Sequence, residues 1–528
     1  MRRIGAVLLV SIVAVATLFS TPAPQSAGPE IKLILLIAVD QFRYDYLTRF
    51  RSDYTGGFKR LLTEGAVFTD ANLEHYPTVT APGHATMLTG AYPSASGIIG
   101  NDWFDRDASQ QVTSVSDPGA KTVGSATTEG ARSPKRLLVS TVGDELKKAS
   151  KAKKGSPEAP HVIGVSLKDR AAILPAGKDA DAAYWLDTKS GNFVSSSYYV
   201  SKPPDWLTAF NDRKIPDSFA GKPWSVFERP ADSFGVMPAA GSSLYESVYG
   251  SPFGGDLLLA FADAVLTEEK LGQRGVTDLL TVSFSSNDAV GHTWGPDAPR
   301  VKDISIRTDL VIAKLLDRVD ALVGLSHTVV AFTSDHGVAP LPETRQEAGL
   351  SGGRMASNDV FNPIQQALAK RFGDGKWVLG TAGTAPYLNY DLITRLALDQ
   401  SQVRRTAAEA VTAVPHVAKV YTRDQLLRKS VPDDVESRRV LHGFNAARNG
   451  DLEILLEPYW LRQATGSTHG TPYEYDAHIP LILMGPMIKA GEYTQPVALN
   501  DLAPTLSAIA GIKAPSGSAG RVLKEILK

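Results

Sequence analysis

Five apolar runs, none longer than nine residues, constrain the fold most: IKLILLIAV (31–39), HVIGVS (161–166), LLTVSFSS (279–286), HTVVAFTS (327–334) and IPLILMG (479–485). A short run that is apolar at nearly every position reads as a strand buried on both faces, the habit of parallel sheets covered by helices. Helical patterns fall between them, around 138–150, 256–270 and 301–323. This alternation predicts an α/β fold with a central, mostly parallel sheet sandwiched by helices. Residues 105–135 are rich in Ser, Gly, Thr and Asp and read as a long surface loop. The aromatic, proline-rich stretch at about 180–250 reads as an inserted cap, and the more charged stretch at about 400–450 as a second insertion. Tyr184, Trp185, Trp206 and Trp224 in the first of these either line a pocket or pack as core, and buried area is the commoner use of aromatics. No internal repeat is evident.

The 528 residues carry a formal charge of −1 and are 43% hydrophobic, enough for one large catalytic domain with insertions. That charge balance gives no support for nucleic acid or an anionic membrane as a partner. The first residues, MRRIGAVLLVSIVAVATLFSTPAPQSAG, have two arginines, an apolar run and then small residues and prolines. They predict a secretory signal peptide over 1–27, cleaved near Ala23 or Ala27, with the catalytic domain at 28–528 and a periplasmic or secreted location. The competing reading is an uncleaved anchor, but the apolar run of about sixteen residues is short of the roughly 20 that a span needs. There is no cysteine. Thiolate ligands, thiol nucleophiles and a lipoprotein anchor are therefore excluded, and any metal must be held by His, Asp, Glu or similar groups.

The chemistry gathers where the apolar runs end. The first ends in Asp40, the third leads to Asp288 and His292, and the fourth to Asp335 and His336. The segment GSTHGTPYEYDAHIP offers His469, Asp476 and His478 just before the fifth. Open α/β sheets bind ligands outside the carboxyl ends of their strands. A single Asp there is ordinarily a turn former or helix cap, and Asp288 and His292 are close enough in sequence to pair on one helical turn. Gathered at one edge, however, these groups are poorly satisfied without a cation. Imidazoles and carboxylates suit zinc. Six candidate ligands are too many for one ion and fit two, roughly 4 Å apart, the arrangement used for in-line displacement at phosphorus.

YPTVTAPGHAT (76–86) joins this cluster. Pro82 suits the first turn of a helix, which puts Thr80 at the helix N-terminus, where free N–H groups favour an anion. Thr80 is then a candidate nucleophile or merely a cap, and Thr78 is the structural alternative. In SLKDR, Lys168 and Arg170 share a face if the segment is extended, and they match a phosphate dianion. The competing reading is a solvated basic turn paired with Asp169.

VDQFRYDYL, YPTVTAPGHATMLTG, GNDWFD, SLKDRA, NDAVGH, SDHG and THGTPYEYDAHIP, in that order, resemble the alkaline phosphatase superfamily. More narrowly they resemble its Thr-nucleophile branch of phosphate monoesterases, related to the nucleotide pyrophosphatase/phosphodiesterases. The resemblance implies two Zn²⁺. One is held by Asp40, Asp335 and His336 with Thr80 completing the site, and the other by Asp288, His292 and His469. It implies Thr80 as nucleophile, with Asn101, Lys168 and Arg170 on the phosphoryl oxygens. His84, Asp476 and His478 lie in the motifs without an assigned role. The implied activity is hydrolysis of small phosphate monoesters through a phosphothreonine. A phosphodiesterase on the same fold and a non-catalytic phosphate binder are the rivals. A sulfatase is disfavoured, because a threonine cannot become formylglycine and the Arg of that family's nucleophile motif is missing.

Overall fold

The computed structural model describes residues 30–150, 152 and 156–528. The expected signal peptide lies outside the described residues. Ten strands form the central sheet: β1 (Leu33–Val39), β2 (Ala66–Phe68), β3 (Thr122–Val123), β4 (Val162–Ser166), β5 (Ala182–Asp187), β6 (Asn192–Ser196), β7 (Asp278–Phe284), β8 (Thr328–Thr333), β9 (Leu481–Met484) and β10 (Gly491–Tyr493). Their order is β10-β2-β9-β8-β1-β7-β4-β5-β6-β3. All five apolar runs are strands of this sheet. The middle of the sheet, β8-β1-β7-β4-β5, is parallel throughout. Antiparallel pairing appears toward the edges, at β8/β9, β9/β2, β5/β6 and β6/β3.

Alternate residues of β1 feed two cores, as the period of a strand requires. Leu33, Leu35, Ile37 and Val39 join one core with Phe261 of α3 (Pro252–Glu268) and Leu315 of α5 (Pro299–Leu322). Ile34, Leu36 and Ala38 join the other with Leu88 of α1 (Thr80–Thr89) and Ile173 of α2 (Asp169–Ala176). Between α3 and α5 in the chain lies α4 (Ser286–Trp294). Helices thus cover both faces.

Three stretches differ from the reading above. The 180–250 segment opens with β5 and β6, which belong to the sheet, so its first part is not a cap. Tyr184, Trp185 and Trp224 are buried in the cores and Trp206 packs against one of them, so all four are core residues. The 105–135 loop contains β3 and the second strand of the hairpin Asp102–Asp105/Gln110–Thr113. The 400–450 segment is part of a larger lobe with its own core, in which α6 (Ser357–Phe372) and α7 (Gln400–Thr412) pack Val360, Leu368, Val403 and Ala407 with Ile454.

Candidate active site

Parallel pairing sends the ends of β1, β7, β8 and β4 to one edge. Asp40 follows β1, Asp288 lies in the first turn of α4 after β7, Asp335 and His336 follow β8, and Lys168 follows β4. β9 runs antiparallel to β8, with Leu481 opposite Thr333, so the segment before it, with His469, reaches the same edge. All six expected ligands therefore meet, although they span residues 40 to 469.

The three histidines are held alike. Nδ1 of His292 lies 2.8 Å from the Ser467 carbonyl, that of His336 2.9 Å from Gly337, and that of His469 2.8 Å from Thr78. Donation to a carbonyl fixes the tautomer and leaves Nε2 bare, the usual setting of a metal-binding imidazole. Those Nε2 atoms face carboxylates: His292 is 3.2 Å from Asp288 Oδ1, His336 is 3.3 Å from Asp335 Oδ2 and 3.5 Å from Asp40 Oδ1, and His469 is 3.9 Å from Asp288 Oδ1. Asp40 Oδ1 and Asp335 Oδ2 are buried and accept no hydrogen bond. Two orphaned carboxylate oxygens beside bare imidazole nitrogens fit divalent cations. Two donor groups have their atoms within 4.8 Å of one another: Asp288, His292 and His469, and Asp40, Asp288 and His336. Asp288 belongs to both, and Asp335 stands beside the second. Burial, together with Asp288 and Asp335, raises the Asp40 carboxyl well above the ordinary range. Burial would raise Asp288 too, but Lys168 and His292 hold it well below that range. Burial lowers His336, and burial with His336 and His292 alongside lowers His469, so both favour the neutral form that binds metal.

Thr80 is the first residue of α1, and its Oγ1 is 3.5 Å from His336 Nε2. Thr78 has a different task, donating Oγ1–H to the Thr471 carbonyl at 2.7 Å. Asn101 accepts at Oδ1 from the Ala81 N–H at 2.8 Å, which leaves its NH₂ to donate elsewhere. Gly83 lets the end of α1 lie against β8, since a Cβ there would sit 2.3 Å from the Asp335 carbonyl oxygen. Gly83→Ala is expected to destabilise the fold by about 1–3 kcal/mol and to depress turnover by displacing Thr80. Denaturant melts and kcat measure the two effects.

The other motif residues support this frame. His84 Nδ1 lies 3.1 Å from Asp335 Oδ2 and its Nε2 2.7 Å from Ser283 Oγ. Asp476 receives the Thr471 N–H and hydroxyl, bracing the loop after His469. His478 stacks on Tyr44 with ring centroids 4.5 Å apart.

Lys168 and Arg170 do not lie in an extended segment, because α2 starts at Asp169. Nor are they a solvated basic turn. The Lys168 ammonium is buried, 2.5 Å from Asp40 Oδ2 and 2.6 Å from Asp288 Oδ2. Asp169 chiefly serves Arg132, at 2.7 Å, and stands 3.8 Å from Arg170, whose Nε is buried without a hydrogen bond. Two residues of the site were not singled out from the sequence, although Gln41 lies inside VDQFRYDYL. Gln41, in the left-handed region at φ 61°, donates its amide N–H to Asp335 Oδ1 and its side chain to Asp288 Oδ1, at 3.1 and 2.8 Å. Tyr249 places its hydroxyl 3.4 Å from Asp288 Oδ2, with the Lys168 ammonium 5.8 Å from its ring.

A cleft of about 390 Å³ opens from this edge. Asn101, His292 and His469 line it, as do Ala382–Ala385 and Glu453–Leu456 of the lobe and the Trp460–Gln463 segment.

A parallel sheet that gathers a histidine–aspartate cluster, a threonine at a helix N-terminus and a buried lysine at its carboxyl edge marks the chain as a phosphoester hydrolase of the alkaline phosphatase superfamily. The profile of the type I phosphodiesterase/nucleotide pyrophosphatase family matches residues 34–474, and the chain belongs to that family. It is 33% identical to alkaline phosphatase PafA of Elizabethkingia meningoseptica, covering 95% of each chain. It is also 33% identical to alkaline phosphatase PhoV of Synechococcus elongatus, covering 94% of this chain and 93% of PhoV. The crystal structure of PafA superposes with a TM-score of 0.88 at 32% identity, covering 95% of this chain and 100% of PafA.

Proposed function

We propose that this chain is an exported, zinc-dependent alkaline phosphatase that hydrolyses small phosphate monoesters through a covalent phosphothreonine. One observation carries the reading: three imidazoles with their Nδ1 atoms tied to carbonyls face carboxylate oxygens, two of which accept no hydrogen bond, beside a threonine at a helix N-terminus. Asp40, Asp335 and His336, with Thr80, hold one zinc, and Asp288, His292 and His469 the other. Bound there, the ions supply Lewis-acid activation of the entering and departing oxygens. Export rests on the N-terminal sequence, and among the described residues no helix is long and apolar enough to cross a membrane.

Thr80 Oγ1 attacks phosphorus in line as the P–O bond to the alcohol breaks, and the alcohol departs with a proton. Water then attacks the phosphothreonine, the P–Oγ1 bond breaks, and phosphate leaves. The Thr80 N–H at the start of α1 and the Asn101 NH₂ donate to the non-bridging oxygens, which gain charge at the transition state. Lys168 and Arg170 supply positive charge to the same group. A structure of PafA in which a threonine, an asparagine, a lysine and an arginine are replaced together involves the same four residue types in the same chain order, which supports these roles.

The family's name favours a second reading, a phosphodiesterase. The two separate on charge, because a monoester presents a dianion and a diester one charge fewer together with a second substituent. Phenyl phosphate and bis-phenyl phosphate are assayed side by side with zinc present. The expected result is a kcat/KM for the monoester at least about tenfold higher, the least that one charge-assisted contact contributes. A preference for the diester overturns the monoesterase reading and reduces the basic pair to structural residues.

A further inference from the structure

Arg462 is the arginine in the lining of the cleft, and other arginines near that lining are paired. Arg354 is paired with Glu343, Arg439 with Glu74, and Arg106 with Asp451. Arg462 has no ion pair and no hydrogen bond with any described residue, and burial lowers its guanidinium pKa, offset only in part by Tyr76. The carboxyl that shares its wall, Glu453, is buried, accepts from the Asn449 amide at 2.7 Å, and is pushed up to about 7 by burial. Arg462 is held near the catalytic edge by its own loop. Arg354 donates to the carbonyls of Gln463 and Gly466, and the next residue, Ser467, offers its carbonyl to His292.

Arg462 is half-buried, and an unpaired guanidinium in a cleft wall is free to take an anion that arrives from outside. The cleft supplies the route. Asn101, His292 and His469 line it together with Val79, Ile99, Leu456 and Arg462. Its volume is that of a small-molecule site with apolar walls and a few placed polar groups. Resting on the monoesterase reading above, we propose that Arg462 reads a second anionic group, a carboxylate or a second phosphate, on the alcohol part of the substrate. The preferred substrates are then phosphate monoesters with a distal anion joined to the scissile phosphate by a short apolar skeleton. The fork geometry of Arg suits either anion.

Two substrate pairs test this, each differing in the distal charge: 4-carboxyphenyl against 4-carbamoylphenyl phosphate, and propane-1,3-diol bisphosphate against its monophosphate. The ratio of kcat/KM within each pair is measured for the wild type, Arg462→Gln and Arg462→Lys. Taking ratios within one variant cancels differences in leaving-group reactivity and in the amount of folded enzyme. The expected result is that at least one ratio falls roughly tenfold or more in Arg462→Gln, the factor carried by a hydrogen bond to a charged group, and recovers in part in Arg462→Lys. The pair that responds identifies the anion. Ratios unchanged to within about twofold in both pairs, the additivity expected of uncoupled groups, overturn the inference. Failure of the wild type to hydrolyse the 4-carbamoylphenyl ester overturns the monoesterase reading itself, and this inference with it.

Discussion

Thr80→Ala is expected to lower kcat for an aryl phosphate by about 10⁴-fold or more, the scale of losing a nucleophile that works with its neighbours as one unit. The argument rests on position. Thr80 opens α1, so its Oγ1 lies at the positive end of the helix dipole, where phosphoryl oxygens are welcome. It also lies 3.5 Å from His336 Nε2, at the edge of the ligand cluster. Thr78, tied to the Thr471 carbonyl, faces a different partner. Alanine keeps the helix, the Asn101–Ala81 hydrogen bond and Gly83 against Asp335, so the melting temperature is expected to stay near that of the wild type. Thr80→Ser keeps the hydroxyl and should retain turnover. Quenching in acid with radiolabelled substrate should leave label on the Thr80 peptide in the wild type and none in Thr80→Ala. Turnover by Thr80→Ala within about tenfold of the wild type would remove Thr80 from the chemistry, since no nucleophile loss is so mild.

The parts of this molecule legible in its sequence share one physical origin. Strands buried on both faces leave uninterrupted apolar runs, and parallel pairing sends the ends of those runs to one edge. The site could therefore be assembled from the residues that follow each run without knowing any contact. The grouping of ligands was less accessible. Asp288 lies within reach of both donor groups because α4 starts directly after β7, a matter of three dimensions. Gln41 has no motif signature of its own. Its role comes from a left-handed backbone that turns its side chain toward Asp288 while its N–H meets Asp335. Tyr249 arrives from a segment whose aromatics, read by composition, point to a cap. The strands β5 and β6 hide there for the same reason: AAYWLD and NFVSS mix aromatic, polar and acidic residues, without the uniform apolar run that marks a central strand. The lobe behind the cleft was seen only where it is charged, around α7. Its partner α6 lies well upstream, and only their shared core joins them.

Removing the metals is expected to abolish activity and also to destabilise the fold, for an electrostatic reason. Asp40, Asp288 and Asp335 are buried together, the Lys168 ammonium reaches only the first two, and burial beside the other two pushes Asp40 toward its protonated form. Two divalent ions displace that proton and turn the crowded carboxyls into a satisfied cluster, so they bind the folded chain far better than the unfolded one. With free zinc at about a thousand times Kd, each site adds about 4 kcal/mol of stability by mass action. Chelation followed by desalting should therefore lower the melting temperature by several degrees per site, at roughly 2–4 °C per kcal/mol or less for a chain of this size. Zinc should restore stability and turnover together, with both approaching saturation near two equivalents. His292→Ala should leave a chain that takes up one equivalent, because it removes a donor from one group only. A chelated enzyme that keeps its melting temperature and turns over phenyl phosphate would show that Lys168 alone balances the carboxylates. The tied imidazoles and orphaned oxygens would then be a hydrogen-bond network and not a metal centre.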